Sequence, residues 1–250
     1  MSDDKTTHFG FKQVPIAEKA KHVAGVFSAV AEKYDLMNDV MSLGSHRVMK
    51  QFAVELTAAR KGHTILDLAG GTGDLTARLS PLVGDEGQVI LCDINNAMLR
   101  EGRDRMLDRG FVQNICYVQG DAEKLPFPDN HVNAITMAFG LRNVTRKEEA
   151  LKSMLRVLKP GGRLVILEFS TPQNPIIKSG FDRFAGLWPR IGKSLVKDSS
   201  SYQYLVESIK MYPDQETLKQ MMEDAGFVKC RYHNMLTGIA AIHVGRKQRD

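Results

Sequence analysis

The sequence predicts a doubly wound α/β domain, and three observations carry that prediction. Short apolar runs at 64–68, 88–92, 115–118, 134–138 and 164–169 alternate with helix-compatible segments such as 96–109 and 147–158. That rhythm is the mark of βα units feeding a mostly parallel sheet with helices on both faces. The first run passes into a glycine turn, Gly70-Gly71-Thr72-Gly73, and then into a helical segment, which lets backbone approach a ligand closely. The last two strand candidates, 228–235 and 239–244, are joined only by Leu236-Thr237-Gly238. A parallel pair needs a longer crossover, so the sheet ends with an antiparallel strand.

Taken in chain order, residues 1–15 are polar and expected to be loosely ordered. From Ala17 to Val30, the apolar residues Val23, Phe27 and Val30 recur at helical spacing. Residues 38–43 are turn-rich. Ser45 is the expected N-cap of a helix carrying Val48, Phe52 and Leu56 on one face. Residues 1–60 thus form an N-terminal helical layer, part of the same domain as 61–250. Lys159-Pro160-Gly161-Gly162 should stop a helix and turn into the next strand, because proline cannot continue a helix and glycine tolerates positive φ. After Ser170 the alternation breaks into a long connection, 171–201, followed by a helix over 215–225.

Composition narrows the classes. With 250 residues, 43% apolar and 25% charged, the chain can build a sizeable core, which argues against extensive disorder. No apolar run approaches the roughly 20 residues that span a bilayer, and Met1-Ser2-Asp3-Asp4-Lys5 does not open a signal peptide. A cytoplasmic protein is expected. Cys92, Cys116 and Cys230 are odd in number and set in apolar runs, so they read as reduced thiols rather than a disulfide framework or metal site. The excess of 34 basic over 29 acidic residues is mild, and no basic arm or RNA-binding module points to nucleic acid.

The glycine turn argues for a particular cofactor. A dinucleotide site would carry a third glycine where this chain has Thr76, and Asp67 and Asp74 beside the turn would repel a pyrophosphate. Those acids suit the sulfonium and α-ammonium of S-adenosylmethionine, although Asp74 alone also reads as a helix cap. Gly71, Thr72 and Gly73 are the expected turn contacts. Asp93 lies 20 residues after Gly73 at the next strand end, placed to accept both ribose hydroxyls. Asp121, at the end of a third strand, is placed to accept from the adenine amino group. Three acids on three successive strand ends match the carboxyl-edge site of open α/β sheets.

At these residues the chain resembles class I methyltransferases, and more closely the ubiquinone/menaquinone biosynthesis C-methyltransferase family. The resemblance rests on Thr7–Phe11, Lys33-Tyr34-Asp35-Leu36-Met37-Asn38-Asp39, Met41–Arg47, the Gly70–Asp74 turn, Phe139-Gly140-Leu141-Arg142-Asn143-Val144, and Arg156–Gly162. It implies a Rossmann-like sheet of seven strands, mostly parallel with the last antiparallel. It also implies C-methylation of a polyprenyl methoxy-benzoquinol and of demethylmenaquinol. The family's cofactor contacts carry over to Thr72, Asp93, Asp121 and Ala122, and a further one falls at Ala138, where close relatives have serine. Val132-Asn133 replaces a common Phe-Asp.

Transfer to carbon requires an electron-rich ring. A phenol of pKa about 10 is ionised about one part in a thousand at pH 7, a cost of about 4 kcal/mol that the protein must offset. Arg142 is the expected group polarising the quinol oxygen, with Asn143 orienting it; a structural ion pair is the competing reading of Arg142. Tyr34 is expected to cover the cofactor, and His46 is a candidate proton acceptor or simply a packing histidine.

A prenylated substrate implies contact with an anionic membrane surface, peripheral and on the inner face. Lys178, Arg183, Arg190, Lys193 and Lys197 oppose a single Asp182 among Ile176, Ile177, Phe181, Phe184, Leu187, Trp188, Ile191 and Leu195. That segment fits an interfacial lid, or equally a packed helix with a basic outer face. A homo-oligomer or a complex with other quinone-biosynthesis proteins stays open. Two other readings compete with the quinol methyltransferase: a methyltransferase of another small phenol, and a non-catalytic adenosine-binding module.

Overall fold

In the computed structural model, residues 6–30, 39, 42, 44–189 and 200–249 are described. Their centre is a seven-stranded sheet built from β3 (Thr64–Leu68), β4 (Gln88–Asp93), β5 (Ile115–Gln119), β6 (Val132–Ala138), β7 (Leu158–Phe169), β8 (Val228–Met235) and β9 (Ala240–Arg246). The order is β5-β4-β3-β6-β7-β9-β8. The first five are mutually parallel, and β9 runs antiparallel to both β7 and β8. The antiparallel end expected from the short 236–238 connection is therefore present, as is the doubly wound sheet.

Helices cover both faces: α1 (Ile16–Val30), α2 (His46–Thr57), α3 (Asp74–Val83), α4 (Asn96–Asp108), α5 (Lys147–Val157), α6 (Pro175–Ala185), α7 (Ser200–Lys210) and α8 (Gln215–Asp224). Because both faces are covered, the central strands are continuous apolar runs. Ile65, Leu66, Val89, Leu91 and Ile135 are fully buried, each worth about 1.5–3 kcal/mol of apolar transfer.

Three expectations need correction, and one sequence feature gains an account. Residues 6–15 form a two-stranded antiparallel hairpin, β1 (Thr6–Phe9) with β2 (Lys12–Pro15), not a loose tail. Phe9 stacks on Tyr204 at 4.3 Å, and Phe11 N–H donates to Glu207, so the hairpin is held by α7. Ser45 precedes α2 without capping it by its side chain; its Oγ donates to the Ser42 carbonyl at 2.6 Å. α5 stops at Val157, before Lys159, and residues 159–162 already lie within β7. Register jumps from Val132↔Leu158 to Ala134↔Arg163, so the tetrapeptide is a bulge, with Gly161 at φ +76°. Finally, Val132-Asn133 has a structural account: Val132 is core, and Asn133 Oδ1 accepts from Thr64 N–H and Lys159 Nζ.

Candidate active site

The parallel strands wind outward in both directions from the β3–β6 boundary, and a cavity opens at their carboxyl ends, as such a switch point dictates. It is open to solvent on one side and walled by the strand ends, the usual place for a small-molecule site in such a sheet. The described lining includes Gly71, Thr72, Asp93, Asp121, Ala122, Ala138 and Asn143. Seven of the nine residues expected from the sequence are thereby brought together.

Gly73 is not in that described lining. It sits at φ +82° at the start of α3, where an added Cβ would press on Leu91 and Met106, so its work is conformational. A glycine outside the motif, not singled out from the sequence, supports the turn from behind. Gly102 of α4 packs so tightly on the turn that a Cβ there would lie 2.4 Å from the Gly71 carbonyl oxygen.

The acids divide by environment. Asp93 accepts the N–H of Gly71 through one oxygen at 3.0 Å and that of Asn95 through the other at 2.8 Å. Burial lifts its pKa to about 6 against those bonds. Asp67 is fully buried under the turn and also raised to about 6 by burial. Its oxygens accept from Thr76 Oγ1 at 2.7 Å and Thr136 Oγ1 at 3.1 Å. Thr76 thus occupies the place of a third glycine by anchoring Asp67. Asp121 closes a small turn, its Oδ1 accepting from Glu123 N–H. Asp74, which the sequence suits to a cationic ligand, already has two cations beside it: Lys50 Nζ at 2.8 Å and Arg78 Nε at 3.3 Å. Burial alone would raise Asp74, but Lys50 and Arg78 override it and hold it at about 2.

The cavity also has apolar lining residues, among them Val23, Phe27, Leu68, Met137 and Phe139. α1 lies over it, pinned by Asn95 Nδ2 to the Ala24 carbonyl at 3.1 Å and by Lys19 Nζ to the Val144 carbonyl at 3.4 Å. Phe139, at the end of β6, holds φ +57°, an uncommon conformation for a bulky residue and a frequent mark of functional loops. Its carbonyl accepts from Arg142 Nη1 and from Asn143 Nδ2.

Arg142 does not line the described cavity. Its guanidinium pairs with Glu168 Oε1 at 2.7 Å, both side chains almost wholly buried, and lies over the Phe169 ring. The ion-pair reading of Arg142 is the one the geometry favours. Asn143 does face the cavity, and its Oδ1 accepts from the Tyr204 hydroxyl at 2.9 Å. Glu168 and Tyr204 were not legible in the sequence as site residues.

His46 is buried outside the described lining, its Nδ1 2.8 Å from Ser42 Oγ and 3.7 Å from Asp39. Burial and the neighbouring Lys50 lower its pKa, a structural setting rather than that of a proton acceptor facing substrate. Tyr34, Ile191, Leu195, Arg190, Lys193 and Lys197 lie outside the described residues. Among the described residues no group of acids, histidines or cysteines could hold a metal ion, and no helix is long and apolar enough to cross a membrane. The three cysteines are free.

The comparisons agree with this geometry. The model of the ubiE/COQ5 methyltransferase family matches residues 15–247. The ubiquinone/menaquinone biosynthesis C-methyltransferase UbiE of Teredinibacter turnerae is 59% identical over 248 residues, covering 99% of this chain and all of the relative. The protein of the same name from Pseudomonas putida strain W619 is 60% identical over 98% of this chain and 96% of its own length. A solved S-adenosylmethionine-dependent methyltransferase from Aquifex aeolicus superposes with a TM-score of 0.62 over 88% of this chain and 98% of its own, at 20% identity, which speaks to the fold. With the family model matching residues 15–247 and relatives about 60% identical over nearly the whole chain, the chain belongs to the ubiE/COQ5 methyltransferase family.

Proposed function

We infer that the protein methylates a ring carbon of a prenylated quinol, a polyprenyl methoxy-benzoquinol or demethylmenaquinol, with S-adenosylmethionine as donor. The observation that carries this reading is one cavity at the carboxyl edge of the sheet whose lining combines Asp93, Asp121 and the glycine turn with apolar side chains and the oriented Asn143 amide, in a chain about 60% identical to proteins named ubiquinone/menaquinone biosynthesis C-methyltransferase. S-adenosylmethionine supplies an electrophilic methyl group on a sulfonium.

The residues fit such a donor. Asp93 presents a buried carboxylate held by two backbone N–H groups; a carboxylate oxygen has several acceptor positions, so capacity for ribose hydroxyls remains. Asp121 and Ala122 line the same cavity, and Ala138, with a methyl side chain, offers only its backbone polar groups. The apolar side chains of the lining, Val23, Phe27, Leu68, Met137 and Phe139, offer no competing hydrogen bonds to the polar groups beside them.

Asn143 is the group placed to act on the quinol oxygen. A carboxamide has two N–H donors; the Phe139 carbonyl takes at most one at 3.5 Å, while Tyr204 fixes the amide oxygen. The remaining N–H can stabilise negative charge growing on the phenolic oxygen, an interaction worth about 2.7–4 kcal/mol for one preorganised donor. Arg142 acts through this geometry: tied to Glu168 and the Phe139 carbonyl, it positions the loop that presents Asn143.

A prenylated substrate is delivered from lipid. Ile176 and Leu187 are strongly exposed beside Lys178 and Arg183 on and just after α6, supporting contact with an anionic surface. Trp188 anchors that segment to the core against Phe169, Phe181 and Phe184. Mass spectrometry of quinones from cells lacking the gene tests the whole reading: desmethyl quinones should accumulate, and an unchanged quinone profile would contradict it.

A further inference from the structure

We propose that Lys50 is the carboxylate-binding residue of the cofactor site, and that the Lys50–Asp74 ion pair recognises the zwitterionic amino-acid terminus of the methyl donor. The proposal rests on the S-adenosylmethionine reading and goes beyond it to a residue of the N-terminal layer.

Among the described residues, the cavity lining holds five carboxylates, Asp67, Asp74, Asp93, Asp121 and Glu123, and a single cation, Lys50. A ligand ending in an α-carboxylate cannot leave that group unpaired beside such a wall, because burying an unmatched charge is strongly unfavourable. The usual alternative, backbone N–H groups of the glycine turn, is largely spent within the protein. Gly70 N–H donates to the Cys92 carbonyl at 3.2 Å, Gly71 N–H to Asp93 at 3.0 Å, and Gly73 N–H to the Gly70 carbonyl at 2.9 Å.

Lys50 is built for the role. It projects from α2 with its side chain 7% exposed, Nζ 2.8 Å from Asp74 Oδ2, at the cavity edge beside the turn. An ammonium has three donors, and Asp74 takes only part of that capacity. Arg78 holds the other Asp74 oxygen, so Asp74 keeps a counterion whatever Lys50 binds. The ligand's ammonium then meets Asp74 and its carboxylate meets Lys50, two opposed pairs in a partly buried setting.

The test compares two ligands by calorimetry. S-adenosylhomocysteine carries the amino-acid terminus; 5′-methylthioadenosine has the adenosine and sulfur without it. Wild type should prefer the first. Lys50→Met should weaken S-adenosylhomocysteine roughly 10- to 100-fold, as for loss of a hydrogen-bonded charge, and leave 5′-methylthioadenosine unchanged, while Lys50→Arg keeps most of the preference. Unchanged S-adenosylhomocysteine affinity in Lys50→Met, or an equal loss for both ligands, would overturn the proposal. A wild-type protein that binds neither ligand would instead overturn the cofactor reading beneath it.

Discussion

Arg142 and Glu168 face each other at 2.7 Å between the carboxyl ends of β6 and β7, with both side chains out of contact with solvent. Glu168 also accepts the backbone N–H groups of Arg142 and Phe169, so one carboxylate ties the Phe139–Asn143 loop to the adjacent strand. Removing one partner strands the other charge. Arg142→Met and Glu168→Gln should each lower unfolding free energy by about 3–5 kcal/mol, the usual cost of breaking a buried pair. Denaturant titration of both single variants and the double variant should give a double loss smaller than the sum. Strictly additive losses would show that the pair is not coupled.

The Asn143–Tyr204 contact separates chemistry from binding. Asn143→Ala should reduce kcat by roughly 100- to 1000-fold, as for one lost oxyanion donor, with S-adenosylhomocysteine affinity unchanged. Tyr204→Phe leaves the amide in place but free to turn, and should lower kcat by a smaller factor. Since the tyrosine is buried, its pKa raised by that burial to about 12, it stays neutral and donating across the working range. Wild-type kcat in Asn143→Ala would remove the residue from catalysis.

Gly102 tests the turn from outside the motif. Gly102→Ala puts a methyl group against the Gly71 carbonyl, so either α4 or the turn must move. Cofactor affinity should fall at least tenfold, and thermal unfolding should shift down as well. Normal calorimetric affinity would mean that the turn tolerates displacement.

The pH dependence of cofactor binding follows from Asp93. Its carboxyl is raised to about 6 in the protein, above the ordinary carboxylate range, so protonation begins only a little below neutrality. A protonated Asp93 cannot accept from two ribose hydroxyls. Affinity should be flat above pH 7 and about tenfold weaker at pH 5, and Asp93→Asn should flatten the profile. The sign for stability is the reverse. A raised acid pKa means that the folded chain binds more protons than the unfolded one between about pH 4 and 6, so this group's contribution to stability falls as pH rises through that window. His243 opposes it: burial lowers it to about 4, so stability from that residue is lost as pH falls below its ordinary value.

Most of the sheet and the cofactor wall was legible because burial on both faces leaves long apolar strands, and because glycine and aspartate at strand ends have few other uses. The hairpin was not, since Thr6–Phe9 and Lys12–Pro15 are short and polar and are held in part by Phe9 against Tyr204. Lys50, Glu168 and Tyr204 were invisible for a different reason. Each looks locally like a helix or strand residue, and only the fold brings Lys50 to Asp74, 24 residues away, or Tyr204 to Asn143, 61 away. Arg142 shows the converse: the motif pointed to it, but a glutamate on the neighbouring strand claims its charge.

The most direct test of the central claim is transfer of a deuterated methyl group from labelled S-adenosylmethionine to reduced demethylmenaquinol by the purified protein, with the product fragmented by mass spectrometry. The account predicts one added trideuteromethyl group on a ring carbon, dependent on Asn143 and absent with water-soluble phenols that lack a prenyl chain. A label on oxygen, or no transfer to prenylated quinols under conditions where the protein binds S-adenosylhomocysteine, would contradict it.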